Sequence, residues 1–256
     1  MILKKSNNNH LSEEEKRAIL RAADEIIAAG GRTLLAKILK GSREKKVLQL
    51  ELDKCPVYGY FKSEKLEEVQ NKIDWMFDYD FLDIQYSGNL PMIVFTERGW
   101  QIERDQRADE FLREWQQWAE QGISQPDMSY LKDRNREMIL LFLEKVKETQ
   151  DKRYIPYLKT WAEIDYKKVK AKIQEIIKAL ASNEPIDHQL KLKREESMKE
   201  MLKGEAPQDL LLKCYECGER FLFTVGEQKF YKQKGFVYPK RCNECRNQRD
   251  EEEFLW

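Results

Sequence analysis

The 256-residue sequence contains no apolar run approaching the ~20 residues that a bilayer span requires, which excludes a chain with membrane-crossing helices. Residues 1–10 lack both the apolar stretch and the small-residue cleavage site of an export signal. A cytoplasmic chain is therefore expected, with association with the nucleoid left open. Net charge is zero, 46 basic against 46 acidic side chains, so no global field draws in nucleic acid or membrane. Any polyanion site has to be a local patch. No G-x-x-x-x-G-K-[ST] loop occurs, and with it a phosphate cradle for ATP is excluded. Histidine is scarce: His10 and His188 lie in polar segments where spacing assigns neither a partner, and both read as solvated. Hydrophobic residues reach only 41% while charged residues reach 36%, against a norm of about 25%. With six Trp, eleven Tyr and eleven Phe, this composition describes a folded, surface-rich chain of several modules rather than one large core.

Ser12 followed by Glu13, Glu14 and Glu15 predicts a capped helix start, and Ile19, Ala22, Ile26 and Ile27 keep helical spacing until Gly30-Gly31. A second short helix over 33–40 stops at Gly41-Ser42. Residues 47–52 alternate in polarity, a run too short to separate strand from helix. Over 63–81, Leu66, Val69, Ile73, Met76 and Phe77 form one helical face. Two β-prone runs, 82–86 and 92–96, flank the turn Ser87-Gly88-Asn89 and predict a hairpin. Helices followed by a hairpin within about 70 residues is the winged-helix order. Further on, a helix over 106–122 carries Phe111, Trp115 and Trp118, and Gly122 to Asp127 reads as a linker. Helices are predicted over about 130–149, 152–162 and 165–181. They resemble at most one and a half HEAT-type pairs, too few for a solenoid, so packing against a neighbour is expected. Trp100, Trp115, Trp118 and Trp161 read as helix-packing residues. Residues 187–203 mix both charge signs and suggest a solvated connecting helix, and Asp250 to Glu253 form an acidic tail. The expected architecture is α+β, mainly α. It comprises a winged helix over 10–106, a HEAT-like helical segment with its connecting helix over 107–206, and a small zinc ribbon over 207–247.

Four of the five cysteines form two tight pairs, Cys214-Tyr-Glu-Cys217 and Cys242-Asn-Glu-Cys245. Each C-x-x-C lets two thiolates reach one ion from a tight knuckle, and two knuckles close a tetrahedral site with Zn–S near 2.3 Å. Zinc suits four soft thiolates with no open position, although spacing alone leaves an iron–sulfur cluster open. One structural Zn²⁺ is the expected cofactor. No βαβ pattern surrounds either pair, which argues against a thioredoxin-type redox site. A module of about 40 residues cannot bury enough surface unaided, so metal binding would supply most of its folding free energy. Cys55 reads as a small buried hydrophobe.

Two segments carry a family resemblance. Gly31-Arg-Thr-Leu-Leu-Ala-Lys-Ile-Leu-Lys-Gly-Ser42, Tyr58-Gly59, the helix near 64–81 and Tyr86-Ser-Gly-Asn-Leu-Pro-Met-Ile-Val-Phe-Thr-Glu-Arg-Gly99 resemble the RQC domain, the winged helix that follows the motor in RecQ-family helicases. Cys217-Gly218, Phe221-Leu-Phe-Thr-Val-Gly-Glu-Gln-Lys-Phe-Tyr231 and Arg241-Cys242 to Arg246 resemble a small bacterial zinc-ribbon family. Together the resemblances imply a stand-alone, bacterial, DNA-binding protein without a helicase motor. It would not be an enzyme, and its partners would be DNA and other DNA-processing proteins, with no membrane. The wing turn presents Asn89, Leu90 and Pro91 and no aromatic, so Leu90 is a weak candidate for a strand-separating wedge.

Between residues 32 and 46 stand Arg32, Lys37, Lys40, Arg43, Lys45 and Lys46 against one acid, Glu44. The resemblance places duplex backbone at the Gly41-Ser42 turn, with Lys40, Ser42 and Arg43 at the matching phosphate-contacting positions. Lysine and arginine neutralise phosphates, a serine hydroxyl donates to them, and released counterions supply affinity. The helix over 63–83 carries seven acids against two bases, so it is not expected to read a major groove. The alternative function is a protein–protein adaptor. In the terminal module, cations interleave with Phe221, Phe223, Phe230, Tyr231, Phe236 and Tyr238, most of which are expected to be core.

Overall fold

The computed structural model describes residues 10–182 and 184–247; the polar start before His10 and the acidic tail at Asp250 to Glu253 lie outside them. In chain order the elements are α1 (Glu13–Asp24), α2 (Arg32–Lys40), α3 (Lys45–Gln49), α4 (Leu66–Asp78), β1 (Leu82–Ser87), β2 (Leu90–Phe95) and α5 (Glu97–Glu120). They continue with α6 (Arg136–Thr149), α7 (Ile155–Ile164), α8 (Lys167–Ser182), α9 (His188–Lys203), β3 (Leu210–Lys213), β4 (Arg220–Phe223) and α10 (Val225–Lys234). The chain is therefore mainly helical with two small antiparallel sheets, as the sequence predicts.

α1 starts at the expected capping box: Ser12 Oγ accepts from Glu15 N–H while the Glu15 carboxylate accepts from Ser12 N–H. β1 and β2 pair in the register Leu82↔Phe95 to Ser87↔Leu90. Ala28 N–H donates to Ile93 O and Ile93 N–H donates to Gly30 O, so the segment after α1 joins the wing as a third edge. The ambiguous run 47–52 resolves as the end of α3 plus one 3₁₀ turn, with Val47 and Leu52 buried. One core unites α1, α2, α4 and the wing, and includes Leu20, Leu35, Ile38, Ile73, Met76, Phe81 and Ile93; Cys55 is buried at its edge.

α5 begins nine residues before the expected position because Gly99 disguises its first turn. Thr96 caps it, accepting from Gly99 N–H at 3.1 Å. A Cβ at Gly99 would stand 1.9 Å from Phe81 O, so only glycine lets α5 seat against the end of α4. The helix then runs 24 residues without a break at position 106. Its first half packs on α1 and its second half carries Phe111 and Trp115 into a second core formed with α6, α7 and α8. There Trp115, Phe142, Leu158 and Trp161 are fully buried, and Trp100 and Trp118 pack at the margin. α9 is less solvated than its composition suggests. Leu202 is buried in the first core with Met198 and Met201 against it, and Lys16 Nζ donates to Leu202 O at 2.8 Å.

The α1–α5 contact holds a charge cluster. Arg21 Nε meets Glu110 at 2.9 Å and Arg21 Nη1 meets Glu25 at 2.7 Å, while Arg107 pairs with Asp24 and Glu110. Beside them Glu103 is fully buried, and one of its carboxylate oxygens has no hydrogen-bond partner. Burial, reinforced by Asp24, pushes the Glu103 carboxyl up to about 8 from an ordinary 4.5. The folded state thus keeps a proton that the unfolded chain has lost across that window. Stability is expected to fall as pH rises from about 4.5 to about 8, by at most about 1.4 kcal/mol per pH unit, and to level off above. Glu103→Gln should flatten that dependence in urea melts taken across the same range.

Candidate nucleic-acid interface and metal centre

The basic corner arises where α2 stops. Gly41 adopts a left-handed conformation (φ 75°), Ser42 N–H reaches back to Lys37 O at 2.9 Å, and the chain turns sharply outward. Gly59 closes over this turn. Its N–H donates to Ile38 O at 3.0 Å, and a Cβ on Gly41 would approach the Gly59 Cα to 3.1 Å, so each glycine makes room for the other. The Tyr58 hydroxyl donates to Ser42 O at 3.0 Å and fixes the loop.

The six cations counted in the sequence do not act as one patch. Arg32, at the start of α2, pairs with Asp74 of α4 at 2.5 Å, and Lys37 pairs with Glu44 at 2.6 Å. Both charges are neutralised locally, a correction to the +5 that the linear sequence suggests. Lys40 donates to the neutral carbonyl of Lys62 at 2.5 Å and keeps its charge. Arg43, Lys45 and Lys46 are exposed, and among the described residues no hydrogen bond or ion pair engages their side chains. Ser42 Oγ accepts from Glu44 N–H at 3.3 Å, which leaves its hydroxyl proton available. The cationic corner is thus Lys40, Arg43, Lys45 and Lys46, with Ser42 at its centre.

Asn89 and Leu90 form the wing tip, Leu90 being 63% exposed. The following residue, Pro91, places its carbonyl 2.9 Å from where a Gly31 Cβ would be, at the N-terminal end of α2. The corner lies at the other end of that nine-residue helix, about 13 Å away at 1.5 Å per residue. Wing and corner are separate features.

α4, the helix at the recognition position, pairs two of its four acids with cations of other elements, while Glu67 and Glu68 stay exposed. Asp74 holds Arg32, and Asp78 holds Lys229 of α10 at 2.7 Å. Lys72 of the same helix joins Glu15 and Glu64. Gly235 packs against the Tyr86 ring of the wing, and Glu205 N–H donates to Tyr79 O at 3.0 Å. The C-terminal module is therefore seated on α4 and the wing. Sequence reasoning saw the acidic helix and missed the module docked at its end, since nothing in linear spacing pairs Asp78 with Lys229. His10, read as solvated, lies with its ring centroid 5.5 Å from that of Trp75.

In that module β3 and β4 form a hairpin whose turn carries Cys214 and Cys217, and Cys242 and Cys245 lie at the start of a short helix over 243–247. A second knuckle built on a helix start gives a treble clef, which refines the expected ribbon. All four Sγ atoms lie within 4.8 Å of one another, and Cys217 Sγ stands 3.9 Å from Cys242 Sγ. Bonds of 2.3 Å to a tetrahedral Zn²⁺ need an S···S edge of about 3.8 Å, so the four cysteines can hold one zinc ion. Backbone N–H groups of Cys217 and Cys242 hold the Cys214 thiol down to about 6, while a hydrogen bond to the Cys242 sulfur pushes the Cys245 thiol up to about 12. A bound dication relieves this conflict by taking all four as thiolates.

Comparison with known proteins agrees. Residues 13–118 match the RQC domain family, and residues 208–253 match a family described as "Probable treble clef domain". A curated relative, the ATP-dependent DNA helicase RecQ of Bacillus subtilis (strain 168), is 29% identical over 69 residues, 27% of this chain and 12% of the helicase. No solved structure matches. The chain contains an RQC domain and a four-cysteine treble-clef zinc-finger domain, and neither match includes a helicase motor. Among the described residues no helix is long and apolar enough to cross a membrane.

Proposed function

We propose that this protein is a non-enzymatic DNA-binding protein that grips duplex backbone at the α2 corner through Lys40, Ser42, Arg43, Lys45 and Lys46. The observation that carries the reading is that Arg43, Lys45 and Lys46 stand exposed and without an ion-pair partner, together with Lys40, around one rigid turn. Phosphate contact there is sequence-independent, and α4 is a poor base reader because its acids repel phosphate and Lys229 of the treble clef occupies its C-terminal end at Asp78. Recognition of DNA shape or ends follows, with Asn89 and Leu90 of the wing as a second contact and with cytoplasmic, nucleoid-associated action.

Four cations predict a slope of log affinity against log salt of roughly −3 to −4 on duplex DNA, less than the roughly −5 expected of six. The triple variant Arg43→Glu, Lys45→Glu, Lys46→Glu should lower duplex affinity about a hundredfold at low salt and remove about three units of slope. These side chains are exposed, so melting should be unchanged. Fluorescence anisotropy with blunt, forked and single-stranded DNA measures both, and unchanged duplex affinity in the variant would end the reading. The exposed Leu48 and Leu50 next to the corner favour a second reading, a protein adaptor. That reading gains if a partner is lost on Leu48→Ala, Leu50→Ala while DNA affinity is negligible throughout.

A further inference from the structure

The treble clef displays apolar and aromatic side chains beyond those its core buries. Phe223 is buried, with Tyr231 and Tyr238 against it, but Tyr215, at the centre of the first cysteine knuckle, is 83% exposed and Tyr238 is half exposed. Tyr215 N–H donates to Lys240 O at 2.8 Å, which holds the knuckle beside the segment Tyr238-Pro239-Lys240. Both rings line one open cavity of about 750 Å³ that borders the metal site at Cys214 and Cys217 and includes Lys213 and Lys240. Its single acid, Glu216, is bound by Arg241 at 2.6 Å.

A second observation comes from the hairpin register. Lys213 and Arg220 are direct cross-strand partners. Like charges placed opposite one another destabilise a strand pair unless an anion sits between them. Both are exposed, and among the described residues no carboxylate engages either. One step along the same face, Leu211 and Leu222 are also opposed and exposed. Flat rings interleaved with unmatched cations are the combination that receives unpaired bases and their phosphates.

We propose that this knuckle face is a second DNA site that takes single-stranded DNA, with bases stacked on Tyr215 and Tyr238 and phosphates met by Lys213, Arg220 and Lys240. The choice of DNA as ligand rests on the reading of the winged helix given above; the site itself is independent of the α2 corner. Four thiolates around Zn²⁺ carry a net charge of −2, which offsets much of the local positive charge. Stacking therefore supplies most of the affinity. Three phosphate contacts on a single strand give a salt slope of roughly −2, shallower than that of the corner on duplex.

The test uses the zinc-loaded full-length protein with a labelled 20-mer of thymidine and a blunt 20-base-pair duplex. Tyr215→Ala removes a ring that is largely exposed and should weaken oligothymidine binding about tenfold, with Tyr215→Phe near wild type and duplex affinity unchanged. The corner triple variant should show the reverse pattern. Wild-type affinity for oligothymidine in Tyr215→Ala overturns the proposal, as does an equal loss on both DNAs. Failure of the wild type to bind oligothymidine, with Tyr215 needed to capture a protein partner instead, overturns it in favour of protein docking. If the corner variant keeps duplex binding while Tyr215→Ala still loses oligothymidine, the knuckle site stands and the winged-helix reading falls.

Discussion

Removing the metal, by chelation or by Cys214→Ser, is expected to unfold residues 208–247 and leave the two helical cores standing. The module has little else to hold it. Among the described residues, Phe223 and Cys214 are its buried apolar side chains, and each strand of its hairpin is only four residues long. Structural zinc in small modules contributes ~10–16 kcal/mol of apparent free energy, more than such a core can replace. Elemental analysis should give one zinc per chain. On chelation, near-ultraviolet circular dichroism should lose the signal of the tyrosine cluster while helical content changes little. Loss of the module would also leave Asp78 of α4 without Lys229, so duplex affinity should fall rather than rise. Unchanged spectra after complete zinc removal would show that the module folds without its ion.

Trp115→Ala should cost about 3–5 kcal/mol, the range for deleting a large aromatic from a tight core. The Trp115 ring is fully buried, with edge-on contacts to Phe142 at 4.9 Å, Tyr157 at 5.6 Å and Trp161 at 6.1 Å, and its Nε1–H donates to Tyr130 Oη at 3.1 Å. Truncation leaves both a cavity and a hydroxyl without its donor. The damage should concentrate in α6, α7 and α8, because the first core meets α5 a turn or more earlier, at Ile102. Hydrogen exchange should therefore rise in 131–180 with α1, α2 and α4 protected. Uniform destabilisation would instead mean that α5 makes the two cores one cooperative unit.

Local signals were legible wherever one residue type has one use. The capping box at Ser12, the turn at Gly41, the hairpin around Gly88 and the two cysteine pairs all appear where the sequence places them, because each is set by interactions within a few residues. The start of α5 was hidden because Gly99 reads as a helix breaker, whereas the structure uses it for a close approach to Phe81. Likewise α9 reads as solvated from its mixed charges, but its last turn is apolar and folds back onto α1. The second cysteine pair was assigned to a ribbon, since C-x-x-C spacing is the same on a hairpin turn and at a helix start.

Composition and short-range pattern alone determined that this chain is a helical protein with a wing and a thiolate metal site, because periodicity, capping and ligand spacing are encoded by neighbours in sequence. Which cations remain free was decided only in three dimensions. Arg32 and Lys37 find carboxylates, Lys229 finds Asp78 a hundred and fifty-one positions away, and Arg43, Lys45 and Lys46 find none. Charge is a property of the residue, but available charge depends on what the fold sets within a few ångströms of it.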